Sequence, residues 1–302
     1  MIKIKIGIVS HDAGAAEIIS SYILRNSLEC VFCLDGAAVR VFQRKLGKVK
    51  NNSLEYLVEQ CDWLLSGTSF LSDLEWRALA LAREAGKRSI VVLDHWVNYR
   101  QRFIRRGEWH WPDEVWLGDE IAMQIAKETL PELKHTLVPN AYFMDIQDEI
   151  RALSLPSRQP GLNVLYVCEP LREDGIALHG DERYWGYTEE EALSYFLSHI
   201  DCLSDNITRI VVRPHPQEAL DKYDWAVTGF DLPLVCGEKK TLLEQIAACD
   251  VVAGCATMAM VVGLLAGKRV FSCIPPGGKT VQLPQTEIED MSRLIVARGG
   301  AA

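Results

Sequence analysis

Short apolar runs alternate with amphipathic stretches along the whole chain, and each run ends on polar or small residues. Met1–Ser10 (MIKIKIGIVS) alternates and then turns fully apolar, which predicts a first strand entering a core. A small-residue loop, His11–Glu17, leads into a helix carried by Ile18, Ile19, Tyr22 and Ile23. Cys30–Leu34 reads as a second strand ending in a turn at Asp35-Gly36, and Trp63–Thr68 as a third with a polar tip. Glu75–Ala85 is a helix stopped by Gly86. Ser89–Leu93 is a fourth strand, terminating in Asp94-His95-Trp96. Asp113–Gly118, the helix Glu120–Thr129 and the short strand His135–Asn140 complete this half.

Residues 151–161 (RALSLPSRQPG), with their prolines, serines and glycine, read as a linker. Beyond it the same alternation starts again. Leu162–Cys168 is a strand ending at Glu169-Pro170, and Leu171–Tyr187 is a long, charged, aromatic loop of the kind used as a lid or binding loop. Glu189–Leu203 is an amphipathic helix, and the β-branched run Ile207–Val212 stops at Arg213-Pro214-His215-Pro216, since proline removes a ladder donor. Leu242, Leu243 and Ile246 share a helical face, and Asp250–Gly254 is a buried strand. Thr257 is placed to cap a helix Met258–Ala266, which Gly267 closes before the strand Arg269–Ile274. Pro284–Leu294 reads as a last helix. The fold class is therefore α/β, with two Rossmann-like domains, residues 1–150 and 162–302, facing a central cleft.

Composition narrows the function. The 302 residues suffice for two cores, and the hydrophobic and charged fractions, 48% and 24%, are those of a globular protein. A net charge of −9 argues against nucleic acid or anionic membrane as a general partner. Nine cysteines, several inside apolar runs, suit a reducing compartment. Cys30 and Cys33 have the spacing of half a zinc site, but no second pair follows, so no metal and no cofactor is expected. The start of the chain reads as a strand rather than a signal peptide, and no apolar run approaches the roughly 18 residues of a membrane span. A cytoplasmic protein is expected, with peripheral membrane contact left open.

The candidate chemistry gathers at strand ends, where open α/β sheets bind ligands. His11 and Asp12 are candidate catalytic bases, with helix capping the alternative for Asp12, and Gly14 lets a ligand approach the backbone. The loop is not GxGxxG, so no dinucleotide fingerprint is present. Asp94, a third catalytic candidate, opens the run DHWVNYRQRF, in which His95, Asn98, Arg100 and Arg102 offer donors to an acidic sugar; the alternative is a capped helix start with a solvated basic face. In the second half Glu169 stands at a strand tip, and Arg213, His215 and Pro216 at another. Gly254, Ala256, Thr257 and Met258 form a helix start whose free N–H groups suit a phosphate. His215 has a second reading, as a strand cap bonded to a carbonyl.

From RPHP and the CATMAMVVGLLAG stretch, the chain resembles the C-terminal half of GT-B-type glycosyltransferases and the related UDP-N-acetylglucosamine 2-epimerases. The His-Pro pair is similar to that of bacterial sialyltransferases, Kdo transferases and CDP-glycerol polymerases, which use cytidine nucleotides. The resemblance implies that His215 binds donor phosphate and that Cys255-Ala256-Thr257 replaces a Ser/Thr cluster at a helix start. Val262 stands where UDP-sugar transferases often place a ribose-binding carboxylate, which turns the expectation toward cytidine. The implied function is metal-independent transfer of a CMP-linked acidic sugar to a glycan or other hydroxyl acceptor, in surface-glycan or glycoconjugate synthesis. A nucleotide-sugar epimerase or hydrolase, and a non-catalytic nucleotide-sugar-binding protein, are the alternatives.

Overall fold

The computed structural model describes residues 4–153, 160–279 and 283–299. The chain divides into two compact units, Met1–Asp145 and Ile146–Ala302. Part of the expected linker, residues 154–159, lies outside the described residues.

The first unit runs β1 (Ile6–Ser10), α1 (Ala13–Asn26), β2 (Cys30–Leu34), α2 (Gly36–Leu46), α3 (Leu54–Gln60), β3 (Trp63–Ser66), α4 (Leu74–Glu84) and β4 (Arg88–Leu93). A small antiparallel hairpin, β5 (Ile104–Arg105) and β6 (Glu108–Trp109), precedes β7 (Glu114–Leu117), α5 (Glu120–Thr129), β8 (Lys134–Leu137) and α6 (Ala141–Ala152). The division between the units falls inside α6. The main sheet is parallel, in the order β2-β1-β3-β4-β7-β8. Parallel strands carry helices on both faces, which is why all of β1 is buried. Gly7 is required there: a Cβ would lie 2.6 Å from Leu57 of α3. Ile8, Ile19, Phe42 and Leu65 are among the residues that fill one face.

The second unit runs β9 (Leu162–Val167), α7 (Leu171–His179), α8 (Glu189–Ser198), β10 (Ile207–Arg213), α9 (Asp224–Gly229), β11 (Leu234–Cys236), α10 (Leu242–Ala248), β12 (Val251–Gly254), α11 (Met258–Leu265), β13 (Arg269–Ser272), β14 (Ile288–Asp290) and α12 (Met291–Ala297). Its sheet is also parallel, ordered β11-β10-β9-β12-β13-β14. Thr188 and Thr241 open α8 and α10 through reciprocal capping boxes with Glu191 and Glu244. Strand order reverses between β1 and β3 in the first unit and between β9 and β12 in the second, so each unit has one switch point at its carboxyl edge.

Several expectations are corrected. Asp35-Gly36 is the start of α2, with the Asp35 carboxylate accepting from Gly36 N, rather than a free turn. The first half of the expected loop Leu171–Tyr187 is α7, and the helix read over Glu189–Leu203 ends at Ser198 and continues as a 3₁₀ turn, Ile200–Cys202. Pro284–Leu294 is not one helix, because Ile288–Asp290 adds to the sheet edge beside β13 before α12 begins. Met291 and Ile295 of α12 are buried in the core of the second unit itself.

Candidate functional site

In the first unit the switch point is built by the turns that follow β1 and β3. Asp12 has the extended backbone of an N-cap at the head of α1, yet its side chain makes no capping bond. Instead Asp12 Oδ1 lies 2.7 Å from His11 Nδ1 and accepts from Ser69 Oγ at 2.8 Å. A carboxylate only accepts, so Nδ1 carries the proton, and Nε2 is the ring nitrogen left to act as a base. Gly36, at φ 53°, packs against that edge of the ring, where a Cβ would sit 2.5 Å from His11 Nε2 and only glycine leaves room.

Asp94, at the tip of β4, presses on Gly14, where a Cβ would lie 2.1 Å from Asp94 Oδ2. Its other oxygen accepts from Arg102 Nη1 at 2.9 Å, and the same nitrogen reaches Thr68 Oγ1 at 2.7 Å. Arg102 is thus held in a buried ion pair with Asp94. Arg100 bonds Thr129 O at 3.2 Å and Glu132 at 3.0 Å, and lies beside the stacked rings of Trp109 and Trp111. Asn98 is exposed, at φ 58°, and serves the turn. His95 Nδ1 accepts from Trp96 N, and burial, only partly opposed by Asp94, lowers its pKa and keeps it neutral. His11 and Asp12 are joined by a hydrogen bond, Gly14, Asp94 and Arg102 by contact and ion pair, and the charges of Asp94 and Arg102 act on His95.

At the switch point of the second unit, Glu169 follows β9 and faces the turn after β12. Glu169 Oε1 accepts from Ala256 N at 2.7 Å and Cys255 N at 3.2 Å. The N–H groups expected to be free for an anion are therefore held by an internal carboxyl. Burial pushes the Glu169 pKa up to about 7, against the opposing pull of those N–H groups. Thr257 caps α11 through a bond from Ala259 N, Met258 is its first residue, and Gly254 is needed because a Cβ would meet Val167 O at 3.0 Å.

One strand over, Arg213 donates to Gln245 Oε1 at 2.6 Å and Lys240 O at 2.9 Å. It ties β10 to α10. His215 is held through its main chain, its N donating to Glu218 Oε2 at 2.7 Å. Its Nδ1 accepts from Gln217 N at 3.4 Å, a long contact that leaves Nε2–H as the outward donor. The alternative of a strand-capping bond to a carbonyl is not what the ring makes. Pro216 is exposed. Glu218 also accepts from Lys222 and Tyr223, and Lys222 pairs with Glu189, so the loop after the His-Pro pair rests on a buried charge network.

The sequence reading missed Ser69 and Glu75. Ser69 had a signal in the polar tip of β3. Glu75 had none, since only the fold shows that it is 3% exposed and accepts from His11 N at 2.7 Å. Cys30 and Cys33 are free thiols, Cys30 pushed up to about 12 first by burial and then by Glu29. Among the described residues no cluster of three His, Cys, Asp or Glu side chains could hold a metal, and no helix is long and apolar enough to cross a membrane.

No protein-family model and no curated protein matches the chain. Solved structures do. The UDP-GlcNAc 2-epimerase of Neisseria meningitidis bound to UDP-GlcNAc superposes with a TM-score of 0.60 at 12% identity, covering 98% of this chain and 91% of that one. The MnaA–UDP structure of S. aureus gives 0.58 at 10% identity, with 98% and 87% covered. The glycotransferase of kitacinnamycin gives 0.55 at 12% identity, with 99% and 85% covered. At such identities the likeness shows the fold, and the chain has the α/β fold of GT-B-type proteins, with two six-stranded parallel sheets.

Proposed function

We propose that the protein is a metal-independent glycosyltransferase that uses a nucleotide-activated sugar. The observation that carries this reading is the His11–Asp12 pair at the switch point of the first unit, 2.7 Å apart and braced by Ser69. Asp12 holds Nδ1–H, so Nε2 takes the proton of an acceptor hydroxyl as it attacks the sugar. In the second unit the α11 start and His215 Nε2–H are the donors for the leaving phosphate. The nucleotide-sugar class is supported by the names of the fold neighbours, which include enzymes bound to UDP-GlcNAc and to UDP. For the base we propose cytidine, with an acidic sugar, because Val262 brings no carboxylate to a ribose.

A second reading is favoured by those epimerase neighbours: the same pair would move a proton at a sugar carbon or activate water. A thermal-shift panel of CMP, CDP, UDP, GDP and their sugars, followed by product analysis with and without acceptors, separates the two. Transfer is expected only with an acceptor, and His11→Ala and Asp12→Asn should each lower kcat by about 10²–10⁴. Turnover of donor at the same rate without acceptor would establish the second reading. Wild-type kcat in both variants would remove the pair from the chemistry.

A further inference from the structure

Glu75 is the one buried carboxyl beside the His11–Asp12 pair that the mechanism leaves unused. It stands in the first turn of α4, 3% exposed, and its Oε1 accepts from the main-chain N of His11 at 2.7 Å. Its Oε2 is buried and has no partner among the described residues; the same holds for Ser10 Oγ, at the end of β1. Both side chains border Gly67, where a Cβ would come within 3.5 Å of Ser10 Oγ and 3.9 Å of Glu75 Oε1.

The groups that act on Glu75 from the packed elements are few. The turn after β1 brings Asp12, which disfavours its charge, and His11, which favours it. β2 brings the buried thiol of Cys33, on which Glu75 in turn acts. The nearest arginines are engaged elsewhere, Arg77 toward Glu55 and Arg105 toward Asp73. An ionised Glu75 would thus be a buried charge without a cation, and such a group takes up a proton instead.

We propose that Glu75 is a positioning residue: it holds the His11–Asp12 pair through the His11 main chain, and does so as the neutral acid. Neutral, it still accepts His11 N–H through one oxygen, while the other gains a hydroxyl that satisfies part of the unpartnered pocket. Ionised, its charge drives rearrangement of the turn that carries both catalytic candidates. Burial, which pushes its pKa up to about 7, agrees. The proposal rests on the reading of His11 and Asp12 as the proton-transfer pair, but the state of the Glu75 carboxyl is measured independently of it.

The test joins infrared spectroscopy to the pH profile of turnover, in wild type and Glu75→Gln, which mimics the neutral acid. A protonated-carboxyl band is expected in the wild type at about pH 6, decaying with a midpoint near 7, and missing from Glu75→Gln. At saturating donor, where any effect of Glu169 on donor affinity drops out, turnover of the wild type should fall on the alkaline side through the same midpoint, while Glu75→Gln stays active across it. A purely structural carboxyl would leave the two pH profiles alike. Glu75→Asp, too short to reach His11 N, is the second variant if the glutamine protein folds poorly; its band should shift and its kcat fall with KM unchanged. Absence of the band in the wild type, or matching pH profiles in wild type and Glu75→Gln, overturns the proposal. If His11→Ala keeps wild-type turnover while the band is present, the pair's catalytic reading falls and the neutral carboxyl stands.

Discussion

The helix start of α11 is where the phosphate reading meets an occupant, and Glu169→Gln tests what happens there. In the wild type the Glu169 carboxyl accepts Cys255 N and Ala256 N. A phosphate on those donors must replace a carboxyl whose pKa lies at about 7. If phosphate binds only when Glu169 is neutral, affinity scales with the protonated fraction, and falls about tenfold between pH 6 and pH 8. That is about 1.4 kcal/mol, within the range for a charge-assisted hydrogen bond. Glutamine cannot ionise, so Glu169→Gln should bind CMP about tenfold more tightly than wild type at pH 8 and equally at pH 6. CMP itself gains charge near pH 6, and the variant controls for that because both proteins see the same ligand. Calorimetric titration of both proteins with CMP, UMP and cytidine at each pH reads the effect. Equal pH dependence in wild type and variant would refute the displacement and move the phosphate off the α11 start. A preference for UMP in both would remove the cytidine proposal alone.

Two further perturbations have calculable outcomes. Gly14→Ala gains about 1 kcal/mol of helix propensity but puts a Cβ 2.1 Å from Asp94 Oδ2, forcing Asp94 away from Arg102. Breaking a buried ion pair costs about 3–5 kcal/mol, so the variant should be destabilised by about 2–4 kcal/mol in urea titration, and a variant as stable as wild type would refute the pinned Asp94. Burial acts to raise the Glu114 pKa, but bonds from Thr136, Lys134, Arg88 and Trp116 outweigh it and bring the value to about 2. A depressed pKa gives stability that is present above about 4.5 and lost as pH falls through about 2. The full shift corresponds to about 3.4 kcal/mol, and since Arg88 and Lys134 are more than half exposed, about 1–2 kcal/mol is expected to survive screening. Glu114→Gln should therefore lower Tm at pH 7 and converge on wild type near pH 2; a gap that persists there would point to lost packing instead.

What could be read from the chain and what could not divides along the range of the interactions involved. β1, β4 and β12 declare themselves because a strand buried on both faces needs an apolar run, and that signal is local. The cap at Thr257 is equally local, and the structure forms it as read. β14 was invisible, because Ile288–Asp290 is a strand only by pairing with β13. α7 was hidden by Gly175, a loop signal in sequence; its role is close packing, since a Cβ would lie 2.5 Å from Asp181 O. The site obeys the same rule. That Asp12, Asp94 and Glu169 stand at strand tips follows from where apolar runs stop, but what each touches does not. Arg102 follows a strand tip in an aromatic, basic run, which places it near the site in sequence; that its guanidinium turns onto Asp94 and Thr68 is visible only in the fold. Glu169 reaches the α11 start across 87 residues, and Glu75 reaches His11 across 64. Both contacts are invisible to any window along the chain, and both carboxyls are pushed up to about 7 by the burial that the fold imposes. Each unit thus sets an acid of near-neutral pKa at the point where its strand order reverses. In the first unit it holds the main chain of the proposed proton-transfer pair; in the second it holds the N–H groups proposed for phosphate. On these proposed roles protonation near neutral pH acts in the same direction in both units, so kcat/KM for the donor should decline on the alkaline side more steeply than kcat, and parallel pH profiles of the two would refute the joint dependence.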